Sequence, residues 1–174
     1  MNRMLSVCAI AFAAAVLLPA QEQQPAPDVA AGAPTQATIE VTGIDGQGVN
    51  LSLADLSKLP QHTVNVTEHG KPASFGSVLL TDVLAKVALP VGEKFHRTAA
   101  SCYLLVEARD GYKVVFAWAE LDATFMDKPI FLATTRDGKP LSGTDGPFQL
   151  VAPGEKRAAR WIRQVTAMRI RQAN

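Results

Sequence analysis

Apolar and polar residues alternate in several short stretches of this chain, which is the pattern of half-buried β-strands. Two Asp-Gly pairs, at 110–111 and 137–138, interrupt such stretches, and Asp-Gly between two strand-like runs predicts a β-hairpin. The glycine-rich "GIDGQG" at 43–48 is a third predicted hairpin turn. The runs in chain order are "TIEVTGI" from Thr38, "HTVNVTEHG" (62–70), "SCYLLVEA" (101–108), "YKVVFAW" (112–118), "FLATTR" (131–136), "FQLVAP" (148–153) and "QVTAMRI" (164–170).

Two segments have helical start and stop signals instead. "LSLADLSKLP" (51–60) offers Ser52 as an N-cap with Asp55 three residues later, and it stops at a proline. "LLTDVLAKVALP" (79–90) offers Thr81 as an N-cap and also stops at a proline. Many short strands with two or three brief helices predict a compact single domain of the α+β class rather than a parallel α/β sheet.

The N-terminal pattern differs from the rest of the chain. Arg3 precedes an apolar run that ends at Ala20, which is the layout of a secretory signal peptide over residues 1–20. A membrane span is the alternative, but the run is too short for one. Residues 21–37 are dense in Pro, Ala and Gln, which predicts a disordered linker before a folded domain at 38–174. We therefore expect a periplasmic protein with no integral membrane span after signal cleavage.

Charge and cysteine count exclude several classes of function. Removing residues 1–20 removes one of 17 basic residues and no acidic one, which leaves 16 basic and 16 acidic residues and no net charge. Such a chain has no global attraction to nucleic acid, and we expect no nucleic-acid partner. Cys102 is then the one remaining cysteine, so neither an intramolecular disulfide nor a site of several thiolates can form.

One segment concentrates positive charge. Lys156, Arg157, Arg160 and Arg163 fall within eight residues around Trp161, and we call residues 156–163 the basic segment. Arginine forks bind anions and polar rings through paired hydrogen bonds, and an indole offers a stacking surface. Arg157 and Arg160 would share a face if the segment were helical. The alternative is a solvated charged turn with Trp161 in the core.

Two other places carry polar side chains at strand ends. Glu68 and His69 precede a glycine turn, where a carboxylate could accept hydrogen bonds from an amino-heterocycle. Asp110 and Tyr112 lie in the first Asp-Gly turn, and loops at strand ends often carry ligand contacts. Ordinary turn chemistry explains each of them as well. No nucleophile motif, phosphate-binding loop or dinucleotide fingerprint occurs, and the three histidines lack metal-site spacing.

Taken in order, several motifs resemble the molybdopterin-binding domain of the sulfite-oxidase family, over about 38–170. "FGSVLLTDVLAKV" (75–87) resembles that family's helix entry, and "ARDGYKVVF" (108–116) resembles its Asp-Gly-Tyr hairpin. The closing stretch "RDGKPL…GPFQLVAPGEKRAARWIRQVTAMRI" carries the Gly-Pro, Val-x-Pro-Gly and basic-x-x-basic-Trp elements in the family's order. The resemblance implies a sulfite-oxidase-like fold.

The sequence departs from the enzymes of that family at the metal. In the enzymes a cysteine from the loop before the helix entry ligates molybdenum, whereas the corresponding "VNVTEHGKPASFGS" (64–77) contains no cysteine. Gln149 also stands where the enzymes have an arginine, and Ser77 where they have a glycine. Loss of a thiolate removes a ligand that sets both affinity and electronics, so we expect no metal site and no catalytic residue.

The chain is similar to short exported proteins of this fold that bind free pterins. That resemblance implies a non-catalytic periplasmic pterin-binding protein, a sensor or carrier acting on an inner-membrane sensor protein, with no tightly bound redox cofactor. Two alternatives remain: a molybdopterin-dependent oxidoreductase with an atypical metal ligand, and an interaction module with a vestigial pocket. The expected pterin-binding residues are Glu68, His69, Phe75, Asp110, Tyr112, Lys156, Arg157, Arg160 and Trp161.

Overall fold

The computed structural model of the protein describes residues 37–68, 70–91 and 98–173. The three α-helices in these ranges are α1 (Leu53–Leu56), α2 (Leu80–Leu84) and α3 (Trp118–Leu121). The strands in chain order are β1 (Thr38–Thr42), β2 (Gly48–Ser52), β3 (Gln61–Glu68), β4 (Lys71–Leu79), β5 (Cys102–Ala108), β6 (Lys113–Ala117), β7 (Phe131–Arg136), β8 (Lys139–Pro140), β9 (Gln149–Val151) and β10 (Val165–Gln172).

These strands form two sheets. The first has the order β2-β1-β10-β5-β6, and the second has the order β3-β4-β7-β8 with β9 paired to β7. Neighbouring strands are antiparallel except β1 and β10, which run parallel in the middle of the first sheet. The predicted α+β class is therefore confirmed: mixed sheets dominate, and the helices are short connectors.

Alternation of side chains builds one core from both sheets. In β5, Cys102, Leu104, Val106 and Ala108 are buried and the residues between them are half-buried, as period-2 alternation requires. Buried side chains from the second sheet, among them Phe75, join the same hydrophobic cluster. The core is thus formed by side chains from strands that are far apart along the chain.

The predicted cap at the start of α1 is confirmed. The Ser52 hydroxyl accepts from the Asp55 N–H at 3.2 Å, and the Asp55 carboxylate accepts from the Ser52 N–H at 3.1 Å. The hydrogen bond from Ser52, followed by one from Lys58, holds the pKa of Asp55 well below its usual value. The prediction for the second helix is wrong in detail: α2 has Leu79 rather than Thr81 at its N-cap and ends at Leu84.

All three predicted turns are present. Gly111 adopts φ +86° between β5 and β6, and Asp137 and Gly138 adopt φ +50° and +76° between β7 and β8. Glycine adopts a positive φ readily, and aspartate tolerates one. This is why the chain can reverse direction at the Asp-Gly pairs. The 43–47 turn closes with a hydrogen bond from the Gly43 N–H to the Gln47 carbonyl at 2.8 Å.

Two expectations need correction. The segment 64–77, which the resemblance aligns with a loop although 62–70 also has a strand pattern, is mostly the β3–β4 hairpin, paired from Gln61 with Val78 to Glu68 with Lys71. Ala37, which we assigned to the linker, is half-buried against the core, so the folded part begins no later than this residue. The predicted signal peptide (1–20) and residues 21–36 lie outside the described residues. Within the described ranges no helix is long and apolar enough to cross a membrane.

Candidate functional site

A cleft of about 420 Å³ opens where the end of β3, the β5–β6 turn and the basic segment meet. Its walls carry both apolar and charged side chains, and its volume lies within the usual range of small-molecule sites. We call it the main cleft. The lining residues are Glu68, Ala108, Asp110, Tyr112, Ala158, Ala159, Trp161, Ile162 and Arg163.

Glu68 contributes a buried carboxylate to the main cleft. Only 4% of its side chain is exposed, although it is the last residue of an edge strand. One oxygen pairs with Arg136 Nη1 at 2.8 Å, and the other lies 3.3 Å from Arg163 Nη2. A buried charge needs such partners, and two arginines fix the direction in which this carboxylate points.

Trp161 contributes the aromatic wall. The segment makes a single 3-10 turn over Ala158–Arg160, and the chain leaves that turn at Trp161 with φ −80° and ψ 68°. The indole Nε1–H donates to the Ala152 carbonyl at 3.0 Å, which fixes the plane of the ring. Behind the ring, Phe75 packs edge-on at a centroid distance of 6.3 Å. The ring is therefore held in place from two sides.

The β5–β6 turn forms one lip of the main cleft. The Tyr112 N–H donates to Asp110 Oδ1 at 2.9 Å, which fixes the turn. The Tyr112 hydroxyl donates to the Ala159 carbonyl at 3.0 Å and so links this lip to the basic segment. Half of the Tyr112 side chain is nevertheless exposed, so its ring lies at the mouth rather than in the core.

A second hollow of about 300 Å³ adjoins the main cleft and shares Glu68, Ala158 and Trp161 with it. Lys156 and Arg157 line this side hollow. Both are exposed, and neither forms an ion pair with another residue of the described part. The free cations of the basic segment therefore face the side hollow.

The structure brings together four of the nine predicted residues at the main cleft: Glu68, Asp110, Tyr112 and Trp161. Phe75 is fully buried and does not reach the cleft, so it supports Trp161 and cannot itself stack on a ligand. His69 lies outside the described residues.

Arg160 is placed elsewhere, which corrects our expectation for it. Its guanidinium pairs with Glu120 at 2.8 Å and Glu155 at 2.5 Å, and lies 4.4 Å from the centroid of the Phe116 ring. The shared helical face expected for Arg157 and Arg160 does not form, because Arg157 is extended with φ −137° and ψ 140°.

Arg163 is the cleft cation that sequence reasoning missed. It bridges Glu68 and Asp145, the latter at 3.2 Å from its Nη1. The i, i+3 spacing pointed to Arg160, but the chain is not helical after that residue.

The donor set does not fit a molybdenum centre held by a protein thiolate. The β3–β4 hairpin contains no cysteine, and Cys102 is 2% exposed and absent from the cleft wall. Burial raises the pKa of the Cys102 thiol, which donates to the Thr98 carbonyl at 3.4 Å. Within the described part no three His, Cys, Asp or Glu side chains cluster as metal ligands would.

Comparison with known proteins supports the fold and no more. No family model matches the chain, and no curated protein matches it. Among solved structures it is similar to the sulfane dehydrogenase SoxCD from Paracoccus pantotrophus, at a TM-score of 0.60 and 17% sequence identity. The match covers 78% of this chain and 38% of the SoxCD chain, so the protein spans well under half of that enzyme subunit. The structural neighbour is a sulfite-oxidase-family protein, so the chain has a sulfite-oxidase-like fold.

Proposed function

We propose that this chain is a non-catalytic, periplasmic pterin-binding protein, a ligand sensor or carrier that acts on an inner-membrane partner. One observation carries the proposal: the main cleft pairs a fixed aromatic wall, Trp161, with a buried and oriented carboxylate, Glu68. A flat, polar heterocycle needs one stacking surface and a few aimed hydrogen-bonding groups. The sulfite-oxidase-like fold adds support, because the resemblance to pterin-binding proteins rests on the same segments.

The polar groups suit the edge of a pterin ring. Glu68 accepts from the 2-amino group and the adjacent ring N–H, and Arg163 donates to the ring carbonyl. Asp110 and Tyr112 at the lip are within the same cleft and serve the exposed substituent. Each buried hydrogen bond left unpaired costs about 1–3 kcal/mol, so two or three such contacts distinguish a pterin from an apolar ring of equal size.

The lack of catalysis is part of the proposal and rests on residue chemistry. A molybdopterin oxidoreductase would need a metal ligand in place of the missing thiolate, and the cleft offers two carboxylates, a phenol and a guanidinium. These are poor ligands for a site in which the enzymes of the fold use a cysteine. The oxidoreductase with an atypical ligand is the alternative that the experiments below distinguish.

Calorimetric titration tests the ligand. We expect tetrahydrobiopterin, added under nitrogen, to bind the full-length mature protein at one site. Arg163→Ala should weaken binding about 5- to 150-fold, because the carbonyl of the bound pterin would lose its hydrogen-bond donor. Arg171→Ala is the matched control, because Arg171 is exposed at the end of β10 and forms no ion pair within the described part.

Absence of binding by the unaltered protein would overturn the proposal, and equal losses from both variants would indicate nonspecific charge. Circular dichroism and thermal melts of each variant separate loss of binding from loss of folding. Extraction of protein made in a molybdopterin-competent host provides the second test. A fluorescent pterin without molybdenum supports the proposal, whereas equimolar molybdenum would favour the oxidoreductase. If neither a pterin nor molybdenum is recovered in repeated extractions, and calorimetry shows no binding, the interaction module would be favoured.

A further inference from the structure

The outer edge of the second sheet is formed by β3, which is eight residues long. Its register with β4 runs from Gln61 to Glu68 without a shift. The side chains of Gln61, Thr63, Asn65 and Thr67 are exposed, whereas those of the alternate residues turn inward. At about 3.3 Å per residue this edge is roughly 26 Å long.

The backbone of this edge is open. In an antiparallel pair every second residue directs its N–H and C=O away from the partner strand. Within the described ranges no backbone group outside β4 forms a hydrogen bond with the backbone of β3. The outward N–H and C=O groups are thus available to another strand.

The other sheet edges are shorter or blocked. β8 has two residues, one of them Pro140. β6 begins at a lysine, and the Arg160 guanidinium donates to the Val115 carbonyl at 3.2 Å along it. β2 has five residues. Natural sheets protect edges with proline, lysine, bulges, short length or inward-pointing charges, and of these β3 has only the last, Glu68 at its end.

We propose that β3 pairs with β3 of a second copy of this chain, antiparallel, around a two-fold axis that passes at Asn65. A two-fold axis perpendicular to the sheet keeps the buried faces of both copies on one side. That register sets Thr63 opposite Thr67 and Val64 opposite Val66. It sets His62 opposite Glu68, so no like charges meet at any position.

The self-complementary sequence is the reason for choosing a second copy rather than an unrelated strand. Threonine pairs across strands are favourable, and the palindromic order Thr-Val-Asn-Val-Thr over 63–67 makes the edge complementary to itself. Such an edge buries less than the roughly 1,200 Å² of a standard interface, so the dimer should be weak and reversible. It joins the second sheets of both copies into one sheet. The proposal does not depend on the ligand of the main cleft.

Sedimentation velocity of the mature protein over a concentration series up to the millimolar range tests this dimer. The unaltered protein should shift from monomer to dimer as concentration rises. Asn65→Lys places two ammonium groups across the axis and should keep the protein monomeric. Asn50→Lys makes the same change at an exposed position of the β2 edge and should dimerise like the unaltered protein.

Hydrogen exchange gives a second readout that does not require a variant. As the protein concentration rises, the amide protons of β3 that point away from β4 should exchange more slowly with solvent. The exchange rates of the β2 amide protons should not change. A protein that remains monomeric throughout, or an Asn65→Lys variant that dimerises normally, would overturn the proposal. Equal loss of dimer in both lysine variants would also overturn it, since the contact would then be general repulsion.

Discussion

Arg160 and Glu120 form an ion pair at 2.8 Å that joins the basic segment to helix α3. Glu155 pairs with the same guanidinium, and Phe116 lies under it. Burial lowers the pKa of Arg160, but the hydrogen bond from this arginine to Glu120 and the nearby carboxylates outweigh burial and raise it overall. This arginine therefore belongs to the framework of the site rather than to its contact surface.

Arg160→Ala should lower stability without changing ligand affinity. Loss of two partly buried ion pairs and a cation–π contact should cost about 1–2 kcal/mol. Thermal melts should show a lower Tm, and titration with tetrahydrobiopterin should give an unchanged Kd at a temperature where both proteins are folded. Arg157→Ala, which removes an exposed cation that forms no ion pair with the residues the structure describes, should leave the Tm unchanged. A large loss of affinity with an unchanged Tm would contradict this assignment.

Cys102→Ser should have little effect on folding and none on ligand binding. The thiol is buried away from the main cleft and donates to a carbonyl, a role that a serine hydroxyl can take. We expect a cost below about 1 kcal/mol, as for a small buried side chain. Urea denaturation and calorimetry measure the two effects. If metal analysis instead found molybdenum that this variant loses, the thiol would be a ligand and the non-catalytic proposal would fail.

Glu107 should make the fold sensitive to acid. Hydrogen bonds from Lys113 on β6 and ion pairing with Arg169 on β10 lower its pKa. A group whose folded-state pKa is depressed stabilises the fold above its unfolded-state pKa, about 4.3 for glutamate, and loses that contribution as pH falls. Glu107→Gln should thus be less stable than the unaltered protein at pH 7, and the difference should vanish in strong acid.

Urea midpoints measured from pH 7 down to pH 2 provide the comparison for Glu107. Asp127→Asn is the control, since Asp127 is exposed and has no ion pair within the described part. A difference that stays constant across the pH range would show that ionisation of Glu107 contributes nothing.

Gln149→Met should stabilise the protein. Gln149 is fully buried opposite Ala133, and neither its amide oxygen nor its amide nitrogen has a hydrogen-bond partner among the described residues. An unsatisfied buried amide costs about 1–3 kcal/mol, and methionine has a similar shape without that cost. Chemical denaturation should show the gain, whereas Gln172→Met at the exposed end of β10 should change little. A destabilised variant would mean that the amide is satisfied in solution.

The proposed export leads to a prediction about the N terminus. Protein recovered from the periplasm should lack about twenty N-terminal residues, as the signal layout predicts. Intact mass spectrometry of that fraction measures the loss directly. Recovery of the exported protein with Met1 retained would contradict the signal assignment.

Local chemistry made much of the fold predictable. The hairpin turns at 110–111 and 137–138 and the cap of α1 depend on neighbouring residues, so their sequence signals were sufficient. The position of β10 between β1 and β5 was not predictable, since it depends on contacts between distant segments. The pattern of 62–70 predicted β3, whereas β4 was missed because the resemblance, rather than the alternation in "KPASFGSVL", guided the assignment of 71–77.

The sequence predicted where the candidate site lies better than it predicted which side chains form it. Glu68, Asp110, Tyr112 and Trp161 were found because turns and strand ends gather polar side chains. Arg163 and Arg160 could not be told apart, because their directions depend on where the 3-10 turn ends. That turn has no strong sequence signal, and carboxylates from distant segments, Glu120 for Arg160 and Glu68 for Arg163, decide where each arginine lies.

The central place of β10 in the first sheet has a consequence for synthesis and folding. Its neighbours are β1, from the start of the domain, and β5, so the sheet lacks its middle until the last strand is available. A nascent chain that ends before Val165 can form only the β1–β2 and β5–β6 hairpins of this sheet, and isolated hairpins are marginally stable. The first sheet therefore cannot be completed before β10 has been synthesised, and truncation before Val165 should abolish the native state instead of trimming it.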